Sequence, residues 1–241
     1  MSNILAFDTS SETMHVGLRI DGRDWLHESP GGAKASAELL PAIFSLLESA
    51  GAHLRELDAI GFGCGPGAFT GLRTACAAAQ GLALGADKPV LAIDTLMAIA
   101  EDALPGAERI PVWCVADARM EQIYAAQYLH EGGRWRVLDA PLLASVDELN
   151  RIWAGSHPHH IAGNALGAFA GRLDTGSARC HALAAPRAAA LLALAQRLWA
   201  QGAALDAGAA APAYVRDKVA HTTAERAAAK GLGGGVSGPG R

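Results

Sequence analysis

The stretch Gly61-Phe-Gly-Cys-Gly-Pro-Gly-Ala-Phe-Thr-Gly-Leu-Arg73 constrains this chain more than any other. Glycines at alternate positions from Gly61 to Gly67 leave that backbone almost bare, and glycine lets another backbone or a ligand come close. Pro66 fixes one φ and removes one N–H. From Thr70 to Leu84 the residues are mostly Ala, Leu, Gln and Arg, which favour helix. Thr70 is placed to cap that helix, and Gly85 to end it. Small residues at 71, 75, 78, 79 and 83 give it a smooth surface that can pack closely. The glycine run reads either as a phosphate-binding loop at a helix N-terminus or as a tight strand-to-helix turn. A P-loop needs Gly-Lys-Ser/Thr at its end, whereas Gly71 is followed by Leu72. The dinucleotide fingerprint fails too, because Gly61, Gly63 and Gly65 lead to Pro66, Ala68 and Thr70. Spacing alone favours the tight turn.

The run Gly63-Cys-Gly-Pro-Gly-Ala-Phe-Thr-Gly-Leu-Arg73, with the Ala/Gly-rich helix behind it, resembles the signature of the TsaB (YeaZ) family. Those are bacterial tRNA threonylcarbamoyladenosine biosynthesis proteins. The signature residues carried over are Gly65, Pro66, Gly67, Thr70, Gly71 and Arg73; the departure is Cys64, where Arg is frequent. The resemblance recurs in Asp117-Ala-Arg-Met120 with Ile123-Tyr124, and in Pro212-Ala-Tyr-Val-Arg216, so it covers most of residues 3–219.

The 241 residues, 51% hydrophobic and 18% charged, suffice for one large domain or two lobes. A net charge of −4 argues against a general nucleic-acid binder, which needs a concentrated basic surface. Cys64, Cys76, Cys114 and Cys180 show no C-x-x-C spacing, which reads as reduced thiols in a cytoplasmic protein. No signal peptide and no transmembrane run is expected.

Ile4-Leu-Ala-Phe7 reads as a buried strand ending at Asp8-Thr9-Ser10, followed by a strand over 14–20, a hairpin at Asp21-Gly22 and a strand over 23–28. Ser36 to Ala50 shows the apolar face of a helix, with Pro41 in its early turns. A strand over 59–63, the helix from Thr70, a strand over 89–93 and a helix over 96–103 capped by Asp94 or Thr95 complete the first half. Pro105-Gly106 is the expected hinge between lobes 1–105 and 106–220, with 221–241 as a flexible tail. The second half reads as strands over 110–115, 122–128 and 135–138, a helix over 146–153 capped by Ser145, a strand end at 161–164 and an Ala/Leu helix over 186–201.

Three strands opening a chain with Asp-Thr-Ser after the first resemble the acetate kinase/hexokinase/Hsp70/actin superfamily, which implies an α/β, two-lobed actin-like ATPase fold. In active members that turn faces nucleotide phosphates, so Asp8, Thr9 and Ser10, with Asp117 at the matching place in the second half, are the nucleotide-facing candidates. The bland reading is that they only bond their own turns. The related transferase TsaD carries a His-x-x-x-His metal pair on the first helix. Here Ala35 stands where the TsaB family's single His is frequent, and no His lies between His27 and His53. Two imidazoles one turn apart are what such a metal needs, so no metal site is expected there. His157, His159 and His160 form a loop cluster without helical register and are not read as ligands.

The resemblance implies an accessory subunit without catalytic residues of its own. It would pair with and activate TsaD, with TsaE joining the complex, and would meet tRNA only through that complex. Alone it would form a homodimer. It implies no intrinsic cofactor, with ATP or ADP at the TsaD interface. The two first-lobe helices would form a four-helix bundle with a partner's, with Leu39, Ile43, Leu47, Leu72, Ala75, Ala79 and Leu82 as the contact residues. The alternatives are an ATP-dependent kinase-like transferase using Asp8, Thr9 and Asp117, and a glycoprotease-like peptidase, for which no Ser/His/Asp spacing is visible.

Overall fold

The computed structural model describes residues 2–216. The first half runs β1 (Ile4–Asp8), β2 (Thr13–Ile20), β3 (Arg23–Pro30), α1 (Ala35–Ala50), β4 (Ala59–Gly65), α2 (Phe69–Ala86), β5 (Val90–Asp94) and α3 (Thr95–Ala103). The second runs β6 (Pro111–Asp117), β7 (Gln122–Glu131), β8 (Arg134–Ser145), α4 (Val146–Ser156), β9 (His160–Ala162), a short α5 (Ala165–Ala168), β10 (Arg179–His181) and α6 (Ala188–Ala200). Each half forms a five-stranded sheet, ordered β3-β2-β1-β4-β5 and β8-β7-β6-β9-β10. In both, the first three strands are antiparallel and the last two join in parallel. One topology is therefore used twice, the two-lobed actin-like arrangement the resemblance implies.

Local chemistry explains the elements. Asp21 and Gly22 both take left-handed φ (49° and 80°), the turn that matches strand twist in a two-residue hairpin. The continuous run Ile4–Asp8 is buried on both sides because β1 is central. Leu5 and Phe7 point to the face covered by α1 and α2, while Ile4 and Ala6 point to the face covered by α6. Ser145 caps α4 in a reciprocal box with Glu148. Asp94, rather than Thr95, caps α3, its Oδ1 accepting from the N–H groups of Leu96 and Met97.

Several boundaries differ from the sequence reading. Thr70 does not cap α2; the helix starts one residue earlier, and the Ala68 N–H at its entry donates to the Ser10 carbonyl at 2.8 Å. Gly85 does not end α2, which runs on to Ala86 and stops at left-handed Asp87 (φ 56°). β8 extends well past Leu138, to Ser145. The division at Pro105-Gly106 separates the two sheets but not the layers. α6 packs Leu191, Leu192 and Ala195 on the first sheet, against Ile4, Ala6 and Ile93. Leu96, Ile99 and Ala100 of α3 join the second core with Val112, Cys114 and Tyr128. The chain beyond α6 also returns to the first lobe, where Val90 and Leu205 bridge. Each half thus lends a helix to the other, because one face of each sheet needs apolar cover that its own half does not supply. The expected tail, 221–241, lies outside the described residues.

Candidate functional site

The glycine turn and the Asp8-Thr9-Ser10 turn are one packed unit. Asp8 is fully buried and accepts from the Ser10 N–H (2.6 Å), the Ser10 hydroxyl (2.7 Å) and the Thr95 hydroxyl (2.7 Å). Thr95 in turn accepts from the Gly65 N–H at 3.2 Å, tying the signature turn to the same carboxylate. The Thr9 hydroxyl donates to the Gly71 carbonyl at 2.7 Å. The glycines make room for this. A Cβ on Gly63 would lie 1.8 Å from Asp8 Oδ2, one on Gly67 2.6 Å from the Ser10 hydroxyl, and one on Gly71 2.0 Å from the Thr9 carbonyl oxygen. At the start of α2, where a phosphate would dock, the Ser10 carbonyl takes the Ala68 N–H, while Gly67, Ala68 and Phe69 still line the interlobe cleft. Of the nucleotide-facing candidates, Asp8 and Thr9 turn inward as turn-bonding residues; Ser10 and Asp117 reach the cleft between the lobes.

That cleft, of about 480 Å³, also takes Glu12, His15, Phe69, Arg119, Asn164 and Tyr214 into its lining. The second-lobe turn mirrors the first. Asp117 Oδ1 accepts from the Arg119 N–H (2.8 Å), the Ala118 N–H is held by the Gln122 carbonyl, and Asn164 Oδ1 accepts from the Asp117 N–H (2.9 Å). The Arg119 guanidinium pairs with Asp117 in its own lobe and with Glu12 across the cleft. The two turns spend on themselves the N–H groups that would cradle a nucleotide's phosphates. The N–H groups of Ser10, Ala68, Ala118 and Arg119 already have partners within the chain, and two carboxylates face the gap. Sequence reading missed the Glu12–Arg119 bridge, since nothing in either residue's neighbourhood signals a partner more than a hundred positions away.

Arg73, exposed at the foot of α2, stacks over Phe69 (3.8 Å to the ring centroid) and donates to the Tyr214 hydroxyl at 3.1 Å. The signature residues therefore divide: Gly65, Gly67 and Gly71 receive neighbouring backbone, Pro66 lines the cleft, Arg73 anchors the segment around Tyr214, and Thr70 lies in the first turn of α2 as the acceptor for Thr74.

The seven residues expected to contact a partner are all buried inside the first lobe. Leu39, Ile43, Leu47, Ala75, Ala79 and Leu82 belong to its core, and Leu72 is equally enclosed. They are the faces that α1 and α2 turn to the sheet, since the apolar stripe read from the sequence is the one the sheet buries first. The outward face carries Leu40 (43% exposed) and Phe44 (49%) on α1, and Ala77, Gly81, Leu84 (80%) and Gly85 on α2. Among the described residues outside the helix's own backbone, nothing lies within 4 Å of a Cβ built on Gly81 or Gly85.

His15, buried on β2, has both ring nitrogens without a hydrogen bond, although its Nδ1 lies 3.3 Å from Glu28. Burial pushes its pKa below 6.5, against the pull of Glu28 and Asp8 and together with Arg187. In the unfolded chain the ring therefore takes a proton first, so stability is complete above pH 6.5 and is lost as pH falls below it. His15→Gln is expected to flatten that acid limb in urea titrations between about pH 6.5 and 5. His160 pairs with His181, Nδ1 to Nε2 at 3.1 Å. Their centroids are 5.3 Å apart and their planes 19° apart, so the rings meet edge to edge through one hydrogen bond and do not converge on a metal. Among the described residues no group of three or more His, Cys, Asp or Glu is placed to hold a metal ion, and no helix is long and apolar enough to cross a membrane.

A duplicated actin-like scaffold whose two cleft-facing turns bond their own N–H groups defines the class: a relative of the superfamily's nucleotide-dependent enzymes. The family model described as TsaD, tRNA N6-adenosine threonylcarbamoyltransferase, matches residues 23–171. The tRNA threonylcarbamoyladenosine biosynthesis protein TsaB of Escherichia coli K12 is 32% identical over 90% of this chain and 96% of its own length. TsaB of Haemophilus influenzae is 31% identical over 90% and 94%. The structure of YeaZ from Pseudomonas aeruginosa superposes with a TM-score of 0.80 at 34% identity, covering 89% of this chain and all of that one. The chain belongs to the TsaB (YeaZ) family.

Proposed function

We propose that this protein acts in tRNA N6-threonylcarbamoyladenosine synthesis as a non-catalytic subunit that pairs with and activates TsaD, with TsaE joining the complex in the cytoplasm. One observation carries the reading. The scaffold keeps the superfamily's form while its two turns satisfy their own N–H groups, and two of its helices present a bare outward face. Family membership supports the pathway. The TsaD model's match across α1 and α2 supports the partner, because a chain built alike would present a like pair of helices. Two such pairs stack as a four-helix bundle, and a second copy of this chain makes the same contact when TsaD is absent. tRNA is reached through the complex, and any ATP or ADP belongs at the TsaD interface rather than in the cleft of this chain. The kinase-like alternative loses support because the N–H groups its two turns would offer to phosphate are spent within the chain, and the peptidase alternative has no constellation of residues behind it among the described residues.

The contact residues are those of the outward face: Leu40 and Phe44 on α1, with Ala77, Gly81 and Leu84 on α2. A glycine inside a helix costs about 1 kcal/mol relative to alanine, and no neighbour among the described residues accounts for Gly81 or Gly85. Close approach by another helix accounts for both. Gly81→Glu strengthens helix propensity while placing an unpaired charge in the contact. The expected result is an unchanged or raised melting temperature with TsaD affinity at least about 100-fold weaker, the cost of burying a lone charge. Ala79→Glu is not a fair test, since Ala79 is in the core and its replacement unfolds the lobe. The pathway itself is tested by tRNA threonylcarbamoylation reconstituted with TsaD, TsaE and threonylcarbamoyl-adenylate. Product is expected only when this chain is added; equal product without it would sink the reading.

A further inference from the structure

We propose that residues 212–216 are a latch that crosses the interlobe cleft and fixes how far it opens, anchored on α2 at one end and on the β6–β7 turn at the other. The latch is read from this chain alone and does not rest on the partner reading. After α6 the chain returns along the first lobe, where the Gln80 side chain donates to the Ala210 carbonyl at 3.0 Å. The Ala213 N–H then donates to the Cys64 carbonyl at 2.7 Å, at the end of β4. Tyr214 is gripped next, its ring 5.2 Å from Phe69 and its hydroxyl 3.1 Å from Arg73 Nε. Two residues on, the chain is held by the other lobe. Arg216 Nη2 donates to the Ala118 carbonyl at 2.9 Å and to Gln122 Oε1 at 2.8 Å.

Two features make this a latch rather than a packed terminus. The first is its chemistry. Tyr214 is 45% exposed and Ala213 is exposed as well, so the crossing is held by hydrogen bonds, a stack and one guanidinium, with Val215 packed against the second core beside them. The second is what the far anchor holds. Arg119, Met120 and Glu121 all take left-handed φ (60°, 55° and 60°). Three such residues in a row, none of them glycine, persist only where the surroundings impose them. Arg216 grips the residues on either side of that run, Ala118 and Gln122. Arg119, inside it, carries the bridge to Glu12. Release of Arg216 therefore lets the turn relax, draws Arg119 from Glu12 and frees the two lobes to part.

The test is hydrogen–deuterium exchange, read by peptide mass spectrometry on the full chain and on two variants, Arg216→Ala and Tyr214→Phe. Arg216→Ala removes the second-lobe anchor. Tyr214→Phe keeps the ring and removes only the hydroxyl that Arg73 holds. Both are expected to raise exchange of the Ala118–Gln122 amides and of the Ala213 amide by about 10-fold or more, the effect of losing a charge-assisted hydrogen bond. Amides of β1 and β4 are expected to keep the wild-type rate. Unchanged exchange at the 118–122 turn in Arg216→Ala would overturn the latch. So would a response to Tyr214→Phe confined to its own end, which makes the anchors independent. An even rise through β1 and β4 would also overturn it, because that is loss of global stability.

Discussion

Gly71→Ala is expected to destabilise the protein by about 3 kcal/mol or more, at the upper end of what overpacking costs. The added methyl would sit 2.0 Å from the Thr9 carbonyl oxygen and 2.9 Å from Ser10 Cα. Both are backbone atoms, and neither can give way. The Thr9 side chain already holds the Gly71 carbonyl, and the Ser10 carbonyl caps α2 through Ala68. Asp8 is fastened to Ser10 and Thr95. Making room for one methyl therefore means moving the end of β1, the start of α2 and the start of α3 together. Gly81→Ala on the same helix is the matched control. None of the described residues crowds it, and alanine there is expected to stabilise by about 0.5–1 kcal/mol through helix propensity alone. Urea unfolding of the pair decides between two roles for the signature. A packing role predicts opposite signs at positions 71 and 81. A phosphate-cradle role predicts little change in stability at 71 and a change in nucleotide affinity instead. Equal, small effects at both positions would show that the two turns are not the rigid unit described here.

The contrast between positions 71 and 81 also shows what the sequence could say. Local signals were legible: Asp21-Gly22 specified its hairpin, Ser145 and Glu148 their capping box, and the runs at Ile4 and Ala59 their buried strands. The residue pattern of the signature turn separated a tight turn from known phosphate motifs, and its resemblance located the family. What the sequence could not carry was direction. Leu39, Ile43 and Leu47 mark an apolar stripe, but a stripe does not say whether a sheet or a partner covers it. Here the sheet does, so the outward face must be sought among residues that a helix would not choose for itself, such as Gly81 and Gly85. Long-range polar pairs were equally hidden. Thr95 looked like a helix cap but bonds Asp8, and Glu12 meets Arg119 only because two turns from different lobes face one cleft. The exchange of α3 and α6 between halves was also invisible, since a helix periodicity names no partner.

Glu101→Ala is expected to produce the largest loss outside the glycine turn, about 3–5 kcal/mol, the cost of stranding one member of a buried ion pair. Glu101 lies on α3 and is 5% exposed. Its Oε1 accepts from Arg197 Nη2 on α6 at 3.0 Å, and its Oε2 accepts from Arg197 Nη1 and from the Trp135 indole N–H. Trp135 packs against both the second core and the α6 layer of the first. The carboxylate thus sits where the two exchanged helices and the second sheet meet. Removing it leaves a half-buried guanidinium and an indole N–H without partners at the junction of the lobes. Glu101→Gln is expected to cost less, because an amide oxygen can still accept one of these bonds while the charge attraction is lost. Replacing both residues, as Glu101→Met with Arg197→Met, is expected to recover much of the loss, since no uncompensated charge remains. A double-mutant cycle in urea measures the coupling. If Glu101→Ala costs under about 1 kcal/mol, the figure for an exposed pair, then water reaches the junction and apolar packing joins the lobes at this helix pair. A large coupling would instead place the strongest polar tie between the lobes at α3 and α6, opposite in kind to the exposed bonds that span the cleft. Such a molecule holds its two halves firmly at the helix pair and leaves only the cleft side free to respond.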